Sequence, residues 1–128
     1  MIPNINMDME ILVADDIQNM RSVIKAILRK LGFENVTTVS DGTRAWDVVN
    51  QKKIDLIISD WNMPEMPGIE LLRKVRESES YHTIPFLMIT AENVESNVIE
   101  AGQAGVTDYI VKPFTPDTLK GKIQKIFL

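Results

Sequence analysis

The 128-residue sequence contains no cysteine and only one histidine. Without cysteine, disulfides, thiolate catalysis and zinc–thiolate sites are excluded, and a single histidine excludes a multi-histidine metal site. Any bound metal must therefore be held by oxygen ligands. The chain also lacks an apolar run approaching the ~20 residues of a membrane helix, and its start lacks the basic and apolar regions of a signal peptide. We therefore expect a cytoplasmic protein.

The charge balance and the length limit the possible partners and the number of domains. With 18 acidic and 14 basic residues, the formal net charge is -4, which argues against a surface that coats nucleic acid. The length fits one domain, and the 45% hydrophobic content is typical of globular proteins. We expect a flexible leader over residues 1–9 and a single domain over residues 10–128. We also expect a monomer that binds neither nucleic acid nor a membrane.

Short apolar runs alternate five times with amphipathic stretches. The runs predict strands at residues 10–14, 36–39, 56–58, 84–89 and 109–111, and the stretches predict helices near residues 20–31, 45–51, 69–77, 94–102 and 119–127. This alternation predicts a flavodoxin-like, doubly wound α/β fold, with five helices around a five-stranded parallel sheet in the order 2-1-3-4-5. On the third helix, Arg73, Lys74 and Arg76 are expected to form an exposed basic face.

Polar residues follow four of the predicted strands. Asp15 and Asp16 follow the first strand, Asp60 the third, Thr90 the fourth and Lys112 the fifth, so that all five share one edge of the sheet. Three neighbouring carboxylates repel one another unless a cation neutralises them, and oxygen ligands without a calcium-binding loop favour magnesium. A carboxylate placed there can act as a nucleophile towards phosphorus. The nearby hydroxyl and ammonium groups can stabilise the oxygens of the transferred group.

Each of these residues also has a structural interpretation. Asp16 could cap the first helix, Asp60 could cap a turn, Thr90 could satisfy a strand end, and Lys112 could be solvated. Their joint placement at one edge of one sheet favours the functional interpretation.

Several motifs resemble those of response-regulator receiver domains from two-component signalling, over about residues 11–127. They are Asp15-Asp16, Asp60, Thr90-Ala91 and Lys112-Pro113-Phe114. The stretches at residues 58–64, 87–92, 103–105 and 111–115 are similar to those of single-domain chemotaxis regulators within that family.

The resemblance implies the roles of the site residues. Asp60 would accept a phosphoryl group from a histidine kinase, and Thr90 and Lys112 would contact that group. The chain would be a signalling switch that carries out its own phosphoryl transfer and dephosphorylation, and not an enzyme acting on an outside substrate. The implied Mg2+ ligands are Asp15, Asp16, Asp60 and the backbone carbonyl of Asn62.

The resemblance also implies how the signal would reach a partner. Thr90 and Tyr109 would change position on phosphorylation and reshape the face formed by helix 4, strand 5 and helix 5. An output protein such as a flagellar switch component would bind that face. The Lys112-Pro113 peptide would be cis. The implied partner face comprises Tyr109, Val111 and Lys122, and the residues expected to flank the phosphorylation pocket are Trp61, Glu92 and Asn93.

Three positions depart from the family pattern. Pro67 replaces the usual acidic residue or asparagine, which predicts a stiffer loop after Asp60. Val94 and Glu95 stand where the chemotaxis regulators carry lysines, so the partner face is less basic. We therefore expect weaker or different docking to a flagellar switch protein.

Other functions also fit parts of this pattern. A metal-dependent phosphatase or dehalogenase would use a similar aspartate nucleophile, but it requires a second aspartate where this chain has Asn62, and the chain lacks a substrate-binding cap domain. A flavodoxin-like carrier would need a phosphate-binding loop after the first strand, which the sequence lacks. Among receivers, the alternatives are a phosphorelay intermediate and a receiver domain of a larger regulator.

Overall fold

A computed structural model describes residues 2–91 and 95–128. Strands and helices alternate along the described chain, as the sequence predicts. The strands are β1 (Ile11–Ala14), β2 (Val36–Val39), β3 (Leu56–Asp60), β4 (Phe86–Thr90) and β5 (Asp108–Val111). The helices are α1 (Gln18–Lys30), α2 (Gly42–Gln51), α3 (Gly68–Glu77), α4 (Glu95–Gln103) and α5 (Pro116–Phe127). None of these helices has the length and hydropathy needed to cross a bilayer.

The five strands form one parallel sheet in the order β2-β1-β3-β4-β5, which confirms the predicted topology. The strands are paired so that their carboxyl ends lie level: Ala14 is opposite Ser59, and Thr90 is opposite Val111. The strand order reverses between β1 and β3, the position at which folds of this kind bind ligands beyond the strand ends. This register places the residues that follow each strand close together.

Apolar side chains pack on both faces of the sheet. On one face, Ile24 and Leu28 of α1 pack in the same core as Leu119 and Ile123 of α5. On the other face, the core includes buried residues of α2 and α3, such as Val49 and Leu72. Strands β1, β3 and β4 are buried along their whole length, as expected for strands covered by helices on both sides.

The segment before β1 differs from the expected loose leader in one respect. Residues 2–10 contain neither helix nor strand, yet Ile2 and Met9 are buried in the core beneath α1 and α5, and Ile5 and Met7 pack against that core. Hydrophobic side chains without periodicity gave no sequence signal for this packing. The flexibility of the leader and the domain boundary at residue 10 remain predictions.

The basic face predicted for α3 is only partly exposed. Arg76 is half-buried, and its guanidinium donates hydrogen bonds to the carbonyls of Gly105, His82 and Ile84 at 2.8, 3.0 and 2.6 Å. Burial lowers the pKa of Arg76 from its ordinary value. The prediction of an exposed side chain was wrong for Arg76, because its long side chain reaches the loops that precede β4 and β5.

Candidate functional site

Three carboxylates meet at the carboxyl ends of β1 and β3. Asp15, Asp16 and Asp60 each offer an oxygen, and these oxygens lie within 4.8 Å of one another. Asp15 and Asp60 are buried, whereas Asp16 is exposed. A set of carboxylate oxygens open to solvent on one side suits a hard cation that keeps part of its water shell, so the donor set fits magnesium.

Lys112 follows β5 and extends across the sheet edge to two of these carboxylates. Its Nζ lies 3.3 Å from Asp15 Oδ2 and 3.5 Å from Asp60 Oδ1, and its side chain is only 14% exposed. The Lys112 backbone N–H donates to the Thr90 carbonyl at 2.7 Å, which ties the end of β5 to the end of β4. The Lys112-Pro113 peptide is cis, as predicted. A solvated Lys112 is therefore excluded.

The electrostatics of Asp60 are dominated by its burial. Desolvation raises the pKa of its carboxyl group, and the nearby charge of Asp15 raises it further, against the lowering effects of Lys112 and of the Trp61 N–H. That N–H donates to Asp60 Oδ1 at 2.9 Å. The ionised carboxylate thus carries a free-energy cost that a cation at the site would reduce.

Asp15 is held by contacts on every side. Besides Lys112 on Oδ2, the Ile17 N–H donates to Asp15 Oδ1 at 2.9 Å, and Arg21 Nη1 donates to the Asp15 carbonyl oxygen at 2.8 Å. The N-cap of α1 is Ile17, which supplies no side-chain hydrogen bond, so Asp16 does not cap this helix. The sequence analysis did not identify Arg21. A long basic side chain in the first turn of the helix after the aspartate pair was the available signal.

The loop after Asp60 folds back against the strand that carries it. The Gly68 N–H donates to the Trp61 carbonyl at 2.8 Å, and Pro67 is the N-cap of α3. Trp61 is half-buried beside Asp60, and Asn62 is exposed. The role predicted for the Asn62 carbonyl remains a prediction.

Thr90 and Tyr109, the two residues of the predicted switch, line the same small cavity. Thr90 is buried at the end of β4, and Tyr109 is half-buried on β5. The cavity is also lined by Trp61 and by Ala101 of α4. It therefore connects the neighbourhood of Asp60 with α4 and β5. Glu92 and Asn93, predicted to flank the pocket, lie outside the described residues.

The predicted partner face is held together by charge. Lys122 Nζ lies 3.0 Å from Asp108 Oδ1 and 5.6 Å from the centre of the Tyr109 ring, so its ammonium contacts β5. Val111 is half-buried on the same strand. Val94 lies outside the described residues, and Glu95 is described only as the first residue of α4.

Comparison with known proteins places this architecture in one family. Residues 11–124 match the response regulator receiver domain. The chemotaxis protein CheY of Pseudomonas aeruginosa is 50% identical over 119 residues, which span 93% of this chain and 96% of that protein. CheY-3 of Vibrio cholerae is 48% identical over 123 residues, spanning 96% of this chain and 95% of that protein.

Solved structures agree with the sequence relatives. The chemotaxis response regulator CheY4 of Vibrio cholerae superposes with a TM-score of 0.86 at 35% identity, covering 93% of this chain and 98% of that chain. The receiver domain of a sensor histidine kinase from Pseudomonas aeruginosa has a TM-score of 0.85 at 32% identity, with coverages of 94% and 98%, and its structure holds a magnesium ion in the active site cleft. This chain therefore belongs to the response regulator receiver domains and is similar to the chemotaxis proteins of the CheY type.

Proposed function

We propose that this chain is a phosphorylation-activated switch in which Asp60 accepts a phosphoryl group from a histidine kinase. The observation that supports this most is the position of Lys112. Its ammonium lies within 3.5 Å of both Asp15 and Asp60, on a sheet edge where a carboxylate nucleophile and the Thr90 strand end converge. A group held between two carboxylates is well placed to contact the oxygens of a phosphoryl group on one of them.

In the proposed transfer, an Asp60 carboxylate oxygen forms a bond to phosphorus while the bond from phosphorus to the kinase histidine nitrogen breaks. Lys112 neutralises charge on the transferred oxygens, and the Thr90 hydroxyl donates a hydrogen bond to one of them. Water later attacks the phosphorus, which releases inorganic phosphate and restores the carboxylate. The chain thus performs both steps on itself and turns over no outside substrate.

The proposed magnesium ligands are Asp15, Asp16, Asp60 and the backbone carbonyl of Asn62. When bound, the ion supplies positive charge that reduces the repulsion among the carboxylates and with the phosphoryl oxygens. Burial of Asp60 makes this relief larger, since an unneutralised buried carboxylate is costly. A cation held by these residues would therefore favour the ionised form of Asp60.

The proposed signal passes through the cavity shared by Thr90 and Tyr109. As Thr90 turns towards the phosphoryl group, Tyr109 takes up the vacated space, and the face formed by α4, β5 and α5 changes its shape for a partner. The resemblance to CheY proteins supports an output in chemotaxis or motility control, such as a flagellar switch component. We further propose that the chain is a monomer and acts in the cytoplasm.

The test of the chemistry uses acetyl phosphate as the donor and intact-mass detection of the added phosphoryl group. We expect labelling of wild type that requires Mg2+, no labelling of Asp60→Asn, and full labelling of Asp47→Asn, whose aspartate is exposed on α2. Trp61 fluorescence should respond to Mg2+ and then to beryllofluoride. Labelling of Asp60→Asn at the same level as wild type would refute the assignment.

The test of the output uses a peptide from a flagellar switch protein of a chemotactic bacterium. With Val94 and Glu95 in place of lysines, we expect beryllofluoride to increase peptide binding only weakly, and Val94→Lys combined with Glu95→Lys to strengthen it. Tight, beryllofluoride-dependent binding by the unaltered chain would contradict the predicted change in docking.

A further inference from the structure

Arg21 reaches from α1 to the turn that carries the first two carboxylates. Its Nη1 donates a hydrogen bond of 2.8 Å to the carbonyl oxygen of Asp15, in a partly buried contact. That carbonyl belongs to the peptide unit joining Asp15 to Asp16. Because a peptide unit is planar, a hydrogen bond to its oxygen restricts the rotation of the whole plane and so the direction in which Asp16 leaves it.

The contact of Arg21 completes the set of bonds that hold Asp15. The Asp15 N–H donates to the Val39 carbonyl at 3.1 Å, Oδ1 accepts from Ile17 N–H, and Oδ2 faces Lys112. Each polar atom of Asp15 therefore has a partner, and the carbonyl has Arg21. Ile17 at the N-cap of α1 offers this turn no side-chain hydrogen bond, whereas Arg21 of α1 does.

We propose that Arg21 is a positioning residue for the cation site: it fixes the peptide between Asp15 and Asp16 and so presents both carboxylates to one ion. This inference rests on the proposed function, because it assigns a residue that orients the proposed magnesium ligands. Groups that orient metal ligands contribute substantially to affinity, and their loss typically weakens binding 10–100-fold.

A charge effect and a positioning role predict opposite changes in Mg2+ affinity when Arg21 is replaced, which makes the proposal testable. If the guanidinium acted only as a nearby positive charge, its removal would strengthen Mg2+ binding, because less repulsion would face the incoming ion. If it positions the carboxylates, its removal weakens binding. The direction of the change in affinity separates the two.

The experiment measures the dissociation constant for Mg2+ on the intact chain, by Trp61 fluorescence and by calorimetry. Arg21→Met removes the charge and the donor groups while keeping much of the side-chain length, and Arg21→Lys keeps the charge and one donor group. Lys25→Met is the matched control, because Lys25 lies one helical turn further along α1 and lines the same shallow cleft as Arg21. We expect Arg21→Met to bind about tenfold more weakly than wild type, Arg21→Lys to fall between them, and Lys25→Met to bind as tightly as wild type or slightly more tightly.

The possible outcomes distinguish the two proposals. Tighter or unchanged binding by Arg21→Met overturns this inference alone, provided that wild type binds Mg2+. A wild-type chain that binds no Mg2+ overturns the proposed function together with it. Circular dichroism and urea unfolding without metal establish that each variant is folded. If Arg21→Met does not fold, Arg21→Lys decides: weaker Mg2+ binding than wild type supports the inference, and an affinity equal to that of wild type overturns the inference that the Arg21 hydrogen bond to the Asp15 carbonyl positions the carboxylates.

Discussion

Replacing Gly68 with alanine tests the close packing of the loop that follows Asp60. Gly68 is the first residue of α3, and its backbone lies directly against the end of β3. A Cβ atom added there would stand 2.1 Å from the Asp60 carbonyl oxygen and 3.0 Å from the Met88 sulfur. The atom encountered first belongs to the backbone of the proposed phosphoacceptor, so a rotamer change cannot relieve the clash.

The loss of unfolding free energy caused by Gly68→Ala depends on how far the new Cβ and the Asp60 carbonyl oxygen must move apart. Ordinary van der Waals contact of a Cβ begins at 3.4 Å, so the loop or the strand must shift by about 1.3 Å. Overpacking that moves the backbone costs typically 1–3 kcal/mol. We expect Gly68→Ala to lose about 3 kcal/mol of unfolding free energy, the upper end of that range, because both contacting segments are fixed by hydrogen bonds. Mg2+ binding should weaken as well.

Gly121→Ala provides the matched control. Gly121 lies in α5, and a Cβ there meets no heavy atom within 4 Å. Alanine at an open helical position should stabilise the chain by roughly 0.5–1 kcal/mol. Urea unfolding followed by far-ultraviolet circular dichroism compares the two variants in magnesium-free buffer. If Gly68→Ala proves as stable as Gly121→Ala, the inferred approach of the loop to Asp60 is wrong.

Three further predictions concern charge, hydrogen bonding and packing. Without Mg2+ at neutral pH, Asp60→Asn should unfold at higher urea than wild type, because burial raises the pKa of Asp60 and its ionised form destabilises the folded state. The difference in stability between Asp60→Asn and wild type should shrink as the pH falls from above the raised pKa of Asp60 to the ordinary pKa of an aspartate. A difference in stability that does not depend on pH would contradict this prediction. Arg76→Met should cost about 1–3 kcal/mol by leaving loop carbonyls without their donor, whereas Arg29→Met, at an exposed position of α1, should cost almost nothing in the same urea titration. If the first residues are part of the core, Ile2→Ala should lower the unfolding free energy by about 2 kcal/mol or more. Ile99→Ala, at a position that is 51% exposed, should lower it less. Equal effects of the two substitutions would refute the packing of Ile2 in the core.

Local signals in the sequence were sufficient to predict the sheet and the edge that carries the candidate site. Buried parallel strands are short apolar runs, and Asp15, Asp60, Thr90 and Lys112 each stand at or directly after the end of such a run. Once the strand order is known, the parallel register brings these ends level. The approach of Lys112 to Asp15 and Asp60 therefore follows from the strand order and the length of the lysine side chain.

Contacts made by long side chains or by isolated apolar residues could not be predicted in the same way. Arg76 has the helical spacing of a solvated residue, yet it bonds to loops that precede β4 and β5. Ile2 belongs to no periodic pattern, yet it is buried in the same core as residues of α1 and α5. Arg21 contacts a carbonyl six residues earlier, and its place in the first turn of α1 was a signal that did not specify this contact.

The arrangement of charge at the sheet edge explains why the proposed switch would respond to a single modification. Lys112 is shared between Asp15 and Asp60 at similar distances, so its position depends on the balance of charge between them. In the proposed switch, a phosphoryl group on Asp60 would add negative charge on that side and draw the ammonium towards it. The Lys112 backbone is bonded to the Thr90 carbonyl, and Thr90 shares its cavity with Tyr109. A local change in charge would thus act on the strand ends that support the proposed partner face, and a bias of a few kcal/mol is enough to change which conformation dominates.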